Sequence, residues 1–142
     1  MQAVIEPNRG NISFRMSEKE APKTCAHFVK LAKNGFYDNL TWHRVIDNFV
    51  IQGGCPKGDG TGGPGYTIDA EINEHKHVKG TVAMARGSSL NSAGSQFYIA
   101  RTALPHLDKL QYTVFGQVTA GFDVIDKIKA GDAIKKVSIV TE

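Results

Sequence analysis

Apolar and polar positions alternate with a period of two at both ends of the chain, and the spacing becomes helical at two places between them. Ala3 to Glu6 and Ile12 to Met16 flank the polar turn Pro7-Asn8-Arg9-Gly10, and Ile12, Phe14 and Met16 alternate with polar neighbours, which predicts an opening antiparallel hairpin. A helix follows over Pro22 to Lys33. Pro22 suits its first turn, Glu18 and Glu20 lie near its positive end, Phe28, Val29 and Ala32 form an apolar stripe, and Gly35 stops it. A second amphipathic helix is expected over Phe122 to Lys129, introduced by Gly121 and ended near Gly131. Val137 and Ile139 alternate in a last strand expected to pair with the first.

Two stretches between the helices combine strand patterning with candidate chemistry. In the first, Trp42 to Ile46 and Phe49 to Gln52 read as strands reversed at Asp47-Asn48 and ended by Gly53-Gly54. A two-residue loop would set Arg44 opposite Ile51. A three-residue loop or bulge instead puts Arg44 and Ile46 on one face with Gln52 and Val50 and turns Val45 and Ile51 inward, and this register is the one expected. An arginine among apolar side chains is costly to desolvate, so such a face needs a hydrogen-bonding reason to exist. In the second stretch, Val82 to Arg86 and Ser95 to Ala100 read as strands around a polar loop, with Gln96 and Tyr98 on one face and Phe97 and Ile99 on the other. An amide beside an aromatic on two separate strands points to a groove. The closing third adds a turn at Pro105-His106-Leu107-Asp108 and a strand from Tyr112 to Val118.

Composition narrows the rest. A chain of 142 residues supports one domain with its own core. No basic segment followed by an apolar run opens it and no apolar segment is long enough to span a bilayer, so a cytoplasmic protein with no membrane contact is expected. Cys25 and Cys55 form no CxxC pair and are expected as free thiols. The net charge of +3 is spread along the chain without a phosphate-tracking stripe, which argues against a nucleic-acid partner. The glycine-rich loop from Gly54 to Tyr66 lacks a GK[ST] ending and a following helix, so it reads as a loop running tightly over the sheet rather than a phosphate cradle. His27 is expected to face solvent or lie half-buried, and His75 and His77 to be solvent-facing loop residues. A metal reading on His43, His75 and His77 would need ligands converging from separate segments.

The chain resembles the cyclophilins, a family of peptidyl-prolyl cis/trans isomerases. FYDNLTWHRVIDNFVIQGG, GDGTGGPG, VAMAR with NSAGSQFYI, and HLDKLQYTVFGQVTAGFDVIDKI match the family's segments in its order over nearly the whole length. The resemblance implies a closed eight-stranded antiparallel β-barrel with a helix over each open end, spanning residues 1–142 as a single domain. It implies Arg44 as the catalytic guanidinium, Gln52 as an amide holding the substrate backbone, and Phe49, Val50, Tyr98 and Leu107 as walls of a proline pocket. Ala85, Arg86 and Gly87 match the segment that pairs with the substrate main chain, Gly60 the neighbouring loop, Gln96 a second polar contact, and Tyr112 a pocket-rim position. His106 stands where many members have tryptophan, Tyr98 where phenylalanine is usual and Val50 where methionine is frequent. The implied partners are proline-containing peptides and unfolded or folding proteins, with cyclosporin-type cyclic peptides bound weakly because the tryptophan is missing. The molecule is expected to work as a monomer.

The implied chemistry agrees with these residue types. An imide bond before proline rotates over a barrier of about 18 to 20 kcal/mol because the nitrogen lone pair is delocalised into the carbonyl. Twisting localises that lone pair, so a donor aimed at the nitrogen stabilises the twisted state above either planar one. No metal, cofactor or nucleophile is required. The competing reading is a non-catalytic proline-peptide binding module or chaperone using the same groove. Binding needs the pocket, whereas catalysis needs the Arg44 donor.

Overall fold

The alternation of the first hairpin is realised in strands β1 (Gln2–Pro7) and β2 (Ile12–Met16), antiparallel with Ala3 opposite Phe14 and Ile5 opposite Ile12. The structure, a computed structural model, describes residues 2–7 and 10–140, so Asn8 and Arg9 of the expected turn lie outside the described residues. Ala3, Ile5, Ile12, Phe14 and Met16 are all buried, as a period-two pattern over a core requires.

Helix α1 (Pro22–Lys33) has the expected bounds, with Gly35 just beyond it at φ +73°. It packs Cys25, Phe28, Leu31 and Ala32 into the core, while Val29 sits at the edge. Burial, followed by the charges of Glu18 and Glu71, pushes the Cys25 thiol up to about 12, and both cysteines are free. The residue before the helix, Ala21, has no side chain able to cap it. The cap comes from far along the chain: Glu71 accepts from the amides of Lys23 at 3.2 Å and Thr24 at 2.5 Å. A carboxylate on those amides and on the positive end of the helix contributes about 1 kcal/mol. His27 departs from expectation. It is buried, its Nε2 lies 2.8 Å from the Gly94 carbonyl and its Nδ1 3.3 Å from the Tyr66 hydroxyl, so the helix uses it to hold two loops.

The remaining strands are β3 (Leu40–Thr41), β4 (Arg44–Val45), β5 (Val50–Gly53), β6 (Thr81–Met84), β7 (Phe97–Ala100), β8 (Val114–Ala120) and β9 (Ala133–Val140), with helix α2 (Phe122–Lys127) between the last two. One sheet contains them in the order β3-β9-β1-β2-β8-β6-β7-β5-β4. The last strand pairs with the first, as expected, with Ala3 opposite Ile139 and Ile5 opposite Val137. The sheet has nine strands among the described residues rather than eight, and its ladder is not a continuous ring. Its edges, β3 and β4, are consecutive in the chain and separated only by Trp42 and His43. Trp42 leaves the ladder to bury its indole completely, which splits the expected strand from Trp42 to Ile46 and leaves Arg44–Val45. One chain segment therefore bonds β9 at its start and β5 at its end, and the sheet curls into a half-barrel. Strand β5 comes close to β3 and β9 at Gly53, where a Cβ would lie 2.8 Å from Ile134 Cδ1 and 3.0 Å from the Thr41 carbonyl.

Inside the curl, Phe14, Phe28, Phe97 and Phe115 pack with Tyr37 and Trp42 at ring separations of 5.1 to 5.9 Å. Edge-to-face contacts predominate, the geometry that aromatic quadrupoles favour. Two other bounds shift. Strand β8 begins at Val114 rather than Tyr112, which frees Tyr112 to sit at the rim of the sheet. Helix α2 stops at Lys127, because Ile128 is already extended at φ −66° and ψ 137°.

Candidate functional site

The β4–β5 hairpin turns through Asp47, Asn48 and Phe49, with Asn48 left-handed at φ +56°. This three-residue loop sets Arg44 opposite Gln52 and Val45 opposite Ile51, the expected register. Ile51 is buried in the main core with Val45 packed against it, and the other face of the hairpin presents Arg44, Val50 and Gln52.

A file of polar side chains crosses that face. Arg44 Nη1 donates to Gln52 Oε1 at 3.3 Å, Gln52 Nε2 to Gln96 Oε1 at 3.2 Å, and Gln96 Nε2 to the carbonyls of Gly60 and Gly62 at 3.0 Å each. The glycine loop thus orients Gln96, Gln96 orients Gln52, and Gln52 holds the guanidinium. Arg44 also lies over the ring of Phe49, 5.7 Å from its centroid. Among the described residues its contacts are this amide oxygen and the phenyl face, neither of which neutralises its charge. Next to it, burial and then the charge of Arg44 lower the pKa of His43, which disfavours a second positive charge beside the guanidinium.

Beside the guanidinium is a cavity of about 130 Å³ lined by Arg44, Phe49, Val50, Gln52, Ala85, Arg86, Tyr98 and Tyr112. Val50 and Tyr98 are buried and form its floor, and Tyr98 stands opposite Gln52 on one neighbouring strand and Ala83 on the other. Tyr112 meets Tyr98 edge-on at 5.7 Å. Arg86 lies flat on Tyr112 at 4.7 Å and donates to the carbonyls of Gly87 and Leu110 at 3.0 and 2.6 Å, so its charge is fixed at the rim. A second apolar cluster supports the floor: Ala83, Ala100, Leu104, Leu107 and Val114, separate from the main core. Leu107, expected as a wall, is buried in this support. His106 lies outside the cavity, exposed, and stacks on Phe49 at 5.8 Å.

A larger cavity of about 460 Å³ adjoins the first across Gln52, Ala85 and Arg86, and is lined by the glycine loop, Gly87 and Gln96. Gly87, expected in the segment that pairs with substrate main chain, Gly60, expected in the neighbouring loop, and Gln96, expected as a second polar contact, belong to this part of the groove.

Sequence reasoning missed the group behind the floor. His77 is buried instead of facing solvent, with Nδ1 2.8 Å from Asp108 Oδ1 and Nε2 2.7 Å from the Tyr98 hydroxyl. His75 is exposed as expected and lies 3.6 Å from Glu20. Among the described residues no group of three or more His, Cys, Asp or Glu side chains could hold a metal ion.

The family model for the cyclophilin-type peptidyl-prolyl cis-trans isomerases matches residues 2–141. A peptidyl-prolyl cis-trans isomerase of Synechococcus elongatus is 48% identical, covering 99% of this chain and 97% of the relative. Peptidyl-prolyl cis-trans isomerase B of Bacillus subtilis is 48% identical over 90% of each chain. The crystal structure of a cyclophilin-type isomerase of Cryptosporidium parvum, determined in the presence of the dipeptide Ala-Pro, superposes with a TM-score of 0.91, 33% identity and full coverage of both chains. The chain belongs to the cyclophilin-type peptidyl-prolyl cis-trans isomerase family.

Proposed function

We propose that the 130 Å³ cavity receives the proline ring of the substrate and that Arg44 is the group that accelerates rotation. The activity itself, cis-trans isomerisation of Xaa-Pro bonds, follows from family membership. The observation that carries the site assignment is a guanidinium, held by Gln52 and without a carboxylate partner among the described residues, at the edge of a cavity of about 130 Å³ that Phe49, Val50 and Tyr98 line with apolar surface. With the ring seated between Phe49, Val50 and Tyr98, the residue before proline is free to turn. As the imide twists, its nitrogen becomes pyramidal and accepts a hydrogen bond from Arg44, a contact unavailable in either planar state. The pocket walls exclude water that would compete for the donor. Gln52 has a second duty, because its amide faces the groove where the substrate backbone passes. Ala85, Arg86 and Gly87 form the opposite bank, and Gly60 and Gln96 line the extension that takes residues flanking the proline.

Titration of 15N-labelled protein with a proline tetrapeptide tests the assignment. The largest amide shifts are expected at Val50, Gln52, Ala85 and Tyr98. Shifts centred on Thr61 to Tyr66 would place the ring in the larger cavity instead.

The partners we assign are unfolded and folding chains bearing Xaa-Pro bonds, met by a monomer. Two unpaired thiols suit work in a reducing compartment such as the cytoplasm. Cyclosporin-type peptides are expected to bind weakly, because His106 offers a small polar ring, already stacked on Phe49, where an indole would cover apolar ligand surface. An inhibition constant in the micromolar range is expected in the tetrapeptide assay, and a nanomolar value would refute this.

A further inference from the structure

The floor of the small cavity is a tyrosine whose hydroxyl is out of water. Tyr98 is 4% exposed, and its hydroxyl is bonded to His77, itself 3% exposed, at 2.7 Å. The two rings are nearly parallel, 8° apart with centroids at 5.7 Å. On the other side of the imidazole, Asp108 Oδ1 lies 2.8 Å from Nδ1 and also accepts from the His77 backbone N–H at 2.6 Å. Tyr112 packs edge-on against both rings.

The polarity of this chain is fixed by chemistry. Desolvation pushes the Asp108 carboxyl up, but hydrogen bonds from the His77 N–H and ring outweigh it and hold the carboxyl below its ordinary value. Asp108 is therefore an acceptor only, so Nδ1 of His77 carries the proton of that hydrogen bond. Nε2 is left as an acceptor, and the phenol, kept protonated by burial, donates to it. A buried hydroxyl without that acceptor would have to turn toward solvent, and the open side of Tyr98 is the cavity.

We propose that His77, oriented by Asp108, is a positioning residue for isomerisation: it holds the Tyr98 hydroxyl and thereby keeps the Tyr98 ring flat in the wall that receives proline. This rests on the assignment of the small cavity to the proline ring. His77 itself touches no substrate.

His77→Leu removes the acceptor while keeping an apolar side chain in the site. It is expected to lower kcat/KM for a proline tetrapeptide about tenfold, mainly through KM, since Arg44 is untouched. His77→Gln can still offer an oxygen to the hydroxyl and should recover most of the loss. Combined with Tyr98→Phe, His77→Leu should cost little beyond the Tyr98→Phe change alone, because no hydroxyl remains to be held. Losses that multiply independently, or a wild-type kcat/KM in His77→Leu, would overturn the proposal. Should His77→Leu fail to fold, the wild-type protein decides the matter. Long-range 15N correlation spectra of the imidazole are expected to show Nδ1 protonated, with ring shifts that move on saturation with the peptide. An Nε2–H form, or shifts indifferent to peptide, would refute it. Arg44→Ala run alongside separates the outcomes: if that variant is impaired while His77 variants are normal, only the role of His77 is lost.

Discussion

Arg44→Ala is expected to lower kcat/KM for cis-to-trans conversion of a proline tetrapeptide by about 30- to 900-fold, or 2 to 4 kcal/mol of transition-state stabilisation. Peptide affinity should change little, because the apolar contacts of the ring with Phe49, Val50 and Tyr98 remain. A split of this kind identifies an interaction made in the twisted state and absent from the planar ones. Arg44→Lys keeps the charge but loses the planar fork that Gln52 holds, and should fall between the two. Because arginine stays charged and the pKa of His43 is lowered, kcat/KM for the wild type should be flat from about pH 7 to 9. An Arg44→Ala enzyme with unchanged turnover would assign the donor to another group. Equal loss of binding and turnover would make Arg44 a binding residue instead.

Which parts of this arrangement were legible in the sequence depended on how local their cause was. The face shared by Arg44, Val50 and Gln52 follows from side-chain alternation and a three-residue turn, both written within nine residues. The division of Phe97 and Ile99 from Tyr98 has the same origin, since strand parity sends one pair to the main core and the other residue to the pocket floor. Helix α1 was legible for a similar reason, its bounds being set by Pro22 and Gly35. The features that escaped depend on contacts between distant segments. His77 and Asp108 lie 31 residues apart in loops with no periodicity, and nothing local marks one as the partner of the other. Glu71 caps a helix that begins 49 positions earlier, where the nearer Glu18 and Glu20 looked adequate. Even the strand count was a tertiary matter, because the predicted strand from Trp42 to Ile46 shortens to Arg44–Val45 while Leu40–Thr41, just before it, pairs with β9 at the other edge of the sheet.

Arg101 is the most consequential of these distant contacts, and Arg101→Met should cost about 2 to 6 kcal/mol of stability, from two buried carbonyls at about 1 to 3 kcal/mol each. Its backbone N–H donates to the Phe49 carbonyl at 2.8 Å, and its side chain is only 6% exposed. The guanidinium donates to the Ile125 carbonyl from Nε at 3.3 Å and from Nη2 at 3.0 Å, to the Ile128 carbonyl at 2.8 Å, and to Asp47 at 2.9 Å. A cation at the negative end of α2 satisfies carbonyls that the helix cannot bond itself. The same side chain ties that helix to the turn carrying Phe49, and so to the hairpin that aims Arg44. Methionine fills much of the space but leaves those carbonyls without donors, which is where the cost arises. A loss of this size is a large share of the stability of a domain and should lower the melting temperature by about 10 °C. Asp47→Asn provides the contrast. The Asp47 side chain is 98% exposed, so its ion pair is screened by solvent and its loss should barely move the melting curve. If Arg101→Met melted within about 2 °C of the wild type, the carbonyl contacts would be incidental. A large drop together with a silent Asp47→Asn would show that the bonds to the buried helix end, and not the surface ion pair, carry the stabilisation.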